Sequence, residues 1–290
     1  MLRFLTILPA PASGSRAGDT RPAAPSAEQR SEHASAEMKT VLILSETPGA
    51  DEEIRSVGRS TIYFPLVGLI IGLLLALLYI VFRAVLPTPV NCILLIGALA
   101  VITGAHHIDG LMDTCDAFAA GKTRAQRLEI MKDTRVGAFG ITAAILVLLT
   151  KYICLSATVG VSALLTFPML SRWAITGLAL IFPSAGDSGS FYTLKSGADW
   201  GGFIGATVIA LAAAILLNGL VIGPLIMLGL FGLLYCLGVL FRSYFGGLTG
   251  DCCGALIESG EVITLILNIA LLRLLPYLSS YNLFKITLPF

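Results

Sequence analysis

The sequence predicts an all-α fold, a polytopic transmembrane helical bundle with about seven spans. Three observations predict it. Of the 290 residues, 56% are hydrophobic and only 13% are charged, against roughly 45–50% and 25% in a soluble domain. The apolar residues gather in runs long enough to supply the ~20 residues that cross about 30 Å of hydrocarbon. Helix breakers, among them Pro87, Pro89, Pro183 and Pro224, punctuate those runs.

Residues 1–60 read as an arm. From Pro11 to Arg55 the chain is rich in Ala, Ser, Pro, Gly and charge, too polar to repay ordering by burial, so it is expected to be mobile. The opening MLRFLTILPAPAS has too short an apolar stretch for a signal peptide and reads as interfacial. Residues 61–290 form one bundle, with spans expected at Tyr63–Leu86, Val90–Ala105, Val136–Ala157, Val161–Phe182, Gly201–Leu217, Pro224–Phe241 and Val262–Leu278. Asn218 and Gly219 form the turn that parts the fifth span from the sixth.

A net charge of +1 gives no reason to expect a nucleic-acid partner. The cysteines lack any CxxC spacing, and the adjacent pair Cys252 and Cys253 is poorly placed for a disulfide or a shared metal, so they read as small apolar fillers. With seven spans, the arm and the loops 106–135, 184–200 and 242–261 share one side. They hold Arg55, Arg59, Lys122, Arg124, Arg127, Lys132, Arg135, Lys195 and Arg242, against Arg83, Lys151, Arg273 and Lys285 opposite. The positive-inside rule places the richer side in the cytoplasm.

That side also collects the chemistry. Asp109, Asp113 and Asp116 stand at i, i+4 and i+7, one stripe of a helix, where like charges repel unless something neutralises them. A divalent cation does so, and hard oxygen donors suit Mg²⁺ or Mn²⁺ better than zinc. An acidic helix merely solvated at the membrane surface is the plainer alternative. Asp133 either ligates metal as well or pairs with a neighbouring cation. Lys132 and Arg135 follow, suited to phosphates or to anionic lipid heads. His106 and His107 precede the stripe, where an imidazole binds phosphate, moves a proton or simply packs. Further on, Gly246, Gly247 and Gly250 allow backbone amides to approach an anion, or allow helices to pack closely. Asp251 beside them would be costly at a bilayer edge without a role. Arg172 falls within the fourth span and reads equally as a substrate contact or as the partner of a buried carboxylate.

The motifs FLTILPAP, RSTIYFPLVGLIIG, HIDGLMDTCDAF, RLEIMKDTRVGAFG, LSRWA and GGLTGDCCGALIE occur in this order along the chain. In them the chain resembles the cobalamin synthase family, the adenosylcobinamide-GDP ribazoletransferases. Three departures stand out: a longer segment between the first two motifs, PSAGDSGSFYTLK in place of an Arg-Pro stretch, and Cys252 where the family commonly has Thr. The resemblance implies a Mg²⁺-dependent phosphotransferase of the cytoplasmic (inner) membrane. Adenosylcobinamide-GDP and α-ribazole, or its 5′-phosphate, would give adenosylcobalamin, or its phosphate, and GMP. It implies Asp109, Asp113, Asp116 and Asp133 as metal ligands. Asp116 or His107 would be the base, and Lys132, Arg135, Arg172, Gly246, Gly247, Gly250 and Asp251 would hold substrate. Beyond the bilayer, a second copy of the chain or other enzymes of the pathway are candidate partners.

Two other readings compete. A CDP-alcohol phosphotransferase shares the metal stripe but expects DGxxAR, and Asp113 and Thr114 stand where its Ala and Arg would be. A transporter would spread charges through several spans, whereas the acidic groups here are expected to gather at one surface.

Overall fold

The computed structural model describes residues 60–275 apart from Val159. The arm expected over residues 1–60 thus lies, but for its last residue, outside the described residues. A 3₁₀ turn, Ser60–Tyr63, leads into α1 (Phe64–Phe82). There follow α2 (Thr88–Thr103), α3 (His106–Ala120), α4 (Arg124–Ile130), α5 (Ala138–Thr158) and α6 (Val161–Ile181). The chain continues through α7 (Ser190–Gly197), α8 (Trp200–Asn218), α9 (Ile222–Phe245) and α10 (Gly250–Leu274). The described residues are all-helical but for one isolated parallel bridge, Ser184 to Leu248.

Six segments are long and apolar enough to cross a membrane: Ser60–Phe82, Ala138–Ala157, Val161–Ile181, Trp200–Asn218, Ile222–Phe245 and Gly250–Leu274. The expected second span is different. Its 16 residues in α2 rise only ~24 Å, and α2 qualifies only together with α3, from which it is bent by 88°. Counted as one broken span, the pair makes the seventh. The bend rests on Gly104 and Ala105, both with positive φ, at 63° and 56°; for alanine that backbone costs about 1–2 kcal/mol. The predicted turn at Asn218 and Gly219 ends α8, with Gly219 at φ 91°.

Two expectations are corrected. The last span begins at Gly250 rather than Val262, because Thr249 caps the helix by accepting from the Cys252 amide at 3.1 Å. Glu258 and Glu261, expected in a loop, therefore lie inside a span. Lys151, expected at the opposite surface, is 1% exposed within α5. Three partners explain how charges survive there. Lys151 Nζ donates to Glu258 Oε2 and Glu261 Oε2, each at 2.6 Å, and Arg172 Nη1 donates to Glu261 Oε1 at 2.7 Å. Two cations and two carboxylates balance, as burial demands. The acidic groups are accordingly not confined to one surface, as the sequence suggested, but the interior ones are paired.

α6 runs through the centre, with most of its residues from Ala163 to Ala179 buried. α1 reaches its backbone through Gly68 and Gly72, a GxxxG face; a side chain at Gly72 would stand 2.6 Å from the Leu164 carbonyl oxygen. Asn268 on α10 donates to Asn218 Oδ1, and Asn218 in turn donates through Nδ2 to Thr166 Oγ1, both at 2.9 Å. α3 lies against α10 and α5. A Cβ added to Gly110 would meet the Asp251 carbonyl oxygen at 2.8 Å, and one added to Gly254 would meet the His107 carbonyl at 3.0 Å. The two glycines allow near-backbone contact of α3 with α10. Outward side chains such as Leu73, Ile153 and Val208 are exposed by about three-fifths, the surface a bilayer would cover.

Thermal unfolding in detergent should separate four variants. Lys151→Met strands two buried carboxylates against one cation and should cost about 3–5 kcal/mol, while Lys151→Met with Glu258→Gln, which restores neutrality, should recover most of it. Gly110→Ala should destabilise by about 1–3 kcal/mol through overpacking. Gly97→Ala on α2, where an added Cβ meets nothing within 4 Å, should instead stabilise by about 0.5–1 kcal/mol.

Candidate functional site

The acidic stripe forms as its spacing requires, because all three aspartates fall within α3. Asp109 is exposed, and Asp113 and Asp116 are half-buried. Asp251, in the first turn of α10, joins them from across the Gly110 contact. α3 is not itself one of the six spanning segments, and there the electrostatics are plain. Burial first, then the Asp109, Asp251 and Asp116 carboxylates, push Asp113 up to about 6. Among the described residues, no ion pair relieves Asp109, Asp113 or Asp251.

Asp116 is held differently. Its Oδ2 accepts from the Gly137 amide at 2.7 Å and its Oδ1 from the Gly140 amide at 2.8 Å. Side chains at either glycine would collide with the carboxylate, which explains why RVGAFG needs glycine twice. With both oxygens engaged, Asp116 anchors α3 to the start of α5.

A cavity of about 380 Å³ opens where α3, α7 and α10 converge. His106, His107, Asp109, Ser190, Gly250, Asp251, Cys253 and Gly254 line it, with Phe64, Ile175, Phe191, Leu194 and Ile257 as its apolar wall. His106 is exposed, whereas His107 is 6% exposed and its Nδ1 has no partner. Burial first, then the Arg172 cation, lower His107 to about 3, so its imidazole is neutral at pH 7 and a weak proton acceptor.

The other predicted residues fall elsewhere. Asp133 accepts from Arg135 Nη2 at 2.6 Å; this hydrogen bonding holds its carboxyl below the usual range, and the pair stands apart from the cavity wall. Lys132 is exposed. Gly246 caps α9 at φ 80° beneath the Arg124 guanidinium, and Gly247 packs on the backbone of residues 183–185. Their loop is used in a bridge, with Leu248 N–H donating to the Pro183 carbonyl at 2.9 Å; only Gly250 reaches the cavity. Arg124 donates to the Ala185 carbonyl, and Arg127 lies over Tyr244 at 4.6 Å, so both tie α4 to its neighbours. Arg172 is fully buried, bound to Glu261, and absent from the cavity wall.

Sequence reasoning missed Ser190, Phe191 and Leu194, because α7 is a short helix in a stretch noted only for departing from a pattern. The available signal was its spacing of apolar residues, Phe191 and Leu194 at i and i+3 on one face. A separate cleft of about 410 Å³ between α6, α8 and α9 is lined by Trp173, Trp200, Phe203, Phe231 and other residues, none of them ionisable, so it offers no acid–base or metal chemistry.

Among the described residues, no three Asp, Glu, His or Cys side chains form a ready-made metal cage. The donors suit a hard divalent cation in another way. Mg²⁺ typically uses one or two carboxylates and takes its remaining ligands from water and substrate phosphates. The mutually repelling carboxylates at the α3–α10 contact are donors of that type.

Comparison with known proteins shows what the chain is similar to. A profile described as cobalamin-5-phosphate synthase matches residues 34–269. Proteins named adenosylcobinamide-GDP ribazoletransferase are similar over most of the chain. The one from Geotalea daltonii is 38% identical over 226 residues, covering 74% of this chain and 87% of its own. That from a Roseiflexus species is 35% identical over 229 residues, covering 78% and 84%, and that from Fusobacterium nucleatum 32% over 255 residues, covering 76% and 91%. No solved structure matches. An all-helical membrane bundle and this breadth of similarity lead to one conclusion: the chain belongs to the cobalamin-5-phosphate synthase family.

Proposed function

We propose that the chain is an adenosylcobinamide-GDP ribazoletransferase whose site is the α3–α10 cavity and its carboxylates. What carries the reading is the meeting of Asp109 and Asp251 on one cavity wall, with Asp113 on the next turn and no ion pair for any of them among the described residues. Such a cluster is stable only with a cation or a shared proton. When bound, Mg²⁺ would neutralise the charge of the transferring phosphoryl group and of the departing GMP.

A ribose hydroxyl of α-ribazole, or of its 5′-phosphate, attacks the phosphorus attached to cobinamide. The bond from that phosphorus to the bridging oxygen breaks, and GMP leaves with the oxygen. The hydroxyl proton passes to a carboxylate of the cluster. Asp113, half-buried and raised towards neutrality, suits this transfer better than His107. Asp116, held by two backbone amides, orients α3. Phe64 and Phe191 offer apolar surface for the acceptor's benzimidazole ring. The exposed Lys122 and Lys132 lie between α3 and α5, where they attract phosphates; by the positive-inside rule this end faces the cytoplasm.

Membranes containing the chain, given adenosylcobinamide-GDP, α-ribazole and Mg²⁺, should release GMP, and omission of any one component should abolish it; release without α-ribazole would mean hydrolysis instead of transfer. Asp113→Asn should lower kcat on the order of 100-fold or more while leaving a folded protein, and near-normal turnover would remove the carboxylate cluster from the chemistry. Protons compete with the cation for a raised carboxyl. As pH falls through about 6, the Mg²⁺ concentration for half-maximal rate should therefore climb, by up to about tenfold per pH unit. A flat profile between pH 5 and 7 would contradict this.

A further inference from the structure

Lys151, Arg172, Glu258 and Glu261 take no part in the cavity wall, yet each of the three helices they join carries part of the site. α5 begins with the Gly137 and Gly140 region that grips Asp116. α6 places Ile175 on the cavity wall three residues after Arg172, and α10 places Gly250, Asp251 and Gly254 there. Along α10, Glu258 and Glu261 follow Asp251 by seven and ten residues. That is ~10 and ~15 Å further along the axis and within about a quarter-turn of the same face. Glu261 has both oxygens engaged, one by α5 and one by α6. Rotation of α10 by one residue, ~100°, would break these contacts and swing Asp251 away from α3.

Stability alone does not call for these charges. Apolar side chains of similar volume would hold the three helices together as well or better, at lower desolvation cost. Directional contacts do what apolar packing does not: they fix the depth and rotation of a helix. Arg172 is further constrained, since Nη1 also donates to the Pro168 carbonyl one turn earlier in α6, at 2.9 Å.

We propose that Lys151 and Arg172 are positioning residues, which hold α10 through Glu258 and Glu261 so that Asp251 faces the α3 carboxylates. The inference rests on the function proposed above. Its test uses the full chain in detergent or vesicles and reads three quantities: the unfolding temperature, Mn²⁺ binding by electron paramagnetic resonance as a stand-in for Mg²⁺, and GMP release. Glu261→Asp keeps every charge but draws the carboxylate back by about 1.5 Å, one carbon–carbon bond. Lys151→Met with Glu258→Gln keeps neutrality but removes the bridge. Both should unfold close to the wild type, yet bind Mn²⁺ on the order of tenfold more weakly and lose kcat on the order of tenfold. Wild-type Mn²⁺ affinity and kcat in Glu261→Asp would overturn the proposal, and this variant decides even if the double variant does not fold. A wild-type chain that releases no GMP would instead overturn the function itself, and the positioning role with it.

Discussion

Four charges sealed among apolar helices set the terms for the rest of the structure. In a bilayer interior a single unpaired ion is prohibitive, so Lys151, Arg172, Glu258 and Glu261 exist there only as a set. The set joins α5, α6 and α10, the helices around which the remaining elements pack. Its neutrality depends on all four members, so the three helices have one low-energy arrangement and not a family of slipped ones. A membrane bundle gains little from apolar packing alone, since lipid is as apolar as leucine; polar contacts of this kind supply the register.

Glycine supplies the other half of the geometry. Where α3 meets α10, Gly110 and Gly254 remove the side chains that would hold the helices apart. Asp109, Asp113 and Asp251 are thereby brought together despite their repulsion. The repulsion is visible in Asp113, raised to about 6. Energy is spent on bringing like charges together, and the interior ion cluster and the glycine contacts withstand it. Helix α3 is held at its far end as well, through Asp116 and the amides of Gly137 and Gly140. The carboxylates are thus held in place by the fold itself, through the glycine contacts and the amides that grip Asp116.

The basic residues near the site divide by what they touch. Arg124 and Arg127 are committed to backbone carbonyls and an aromatic ring, and Arg135 to Asp133. The glycine-rich loop is likewise committed, to the Ser184–Leu248 bridge, before α10 starts at Gly250. The apolar wall of the cavity comes from α1, α6, α7 and the deeper part of α10. One cavity therefore offers carboxylates and an apolar surface together, which matches an acceptor that joins a ribose to a flat apolar base.

The sequence by itself determined the class of fold, most span positions and the acidic stripe, because hydrocarbon thickness and the 3.6-residue helical period act locally. It also carried the family resemblance, since those motifs are contiguous. It misjudged where α10 begins. A capped helix that carries Glu258 and Glu261 looks like a loop until Lys151 and Arg172 are seen to neutralise those two carboxylates. Only the tertiary structure decided that Arg172 pairs with Glu261, that Asp116 is held by Gly137 and Gly140, and that α7 closes the cavity with Phe191 and Leu194. These residues are separated by 89, 21 and about 60 positions from their partners or from Asp251. Distances of that order along a chain carry no local periodicity; which charge meets which is fixed only when helices pack and every buried ion must find its complement.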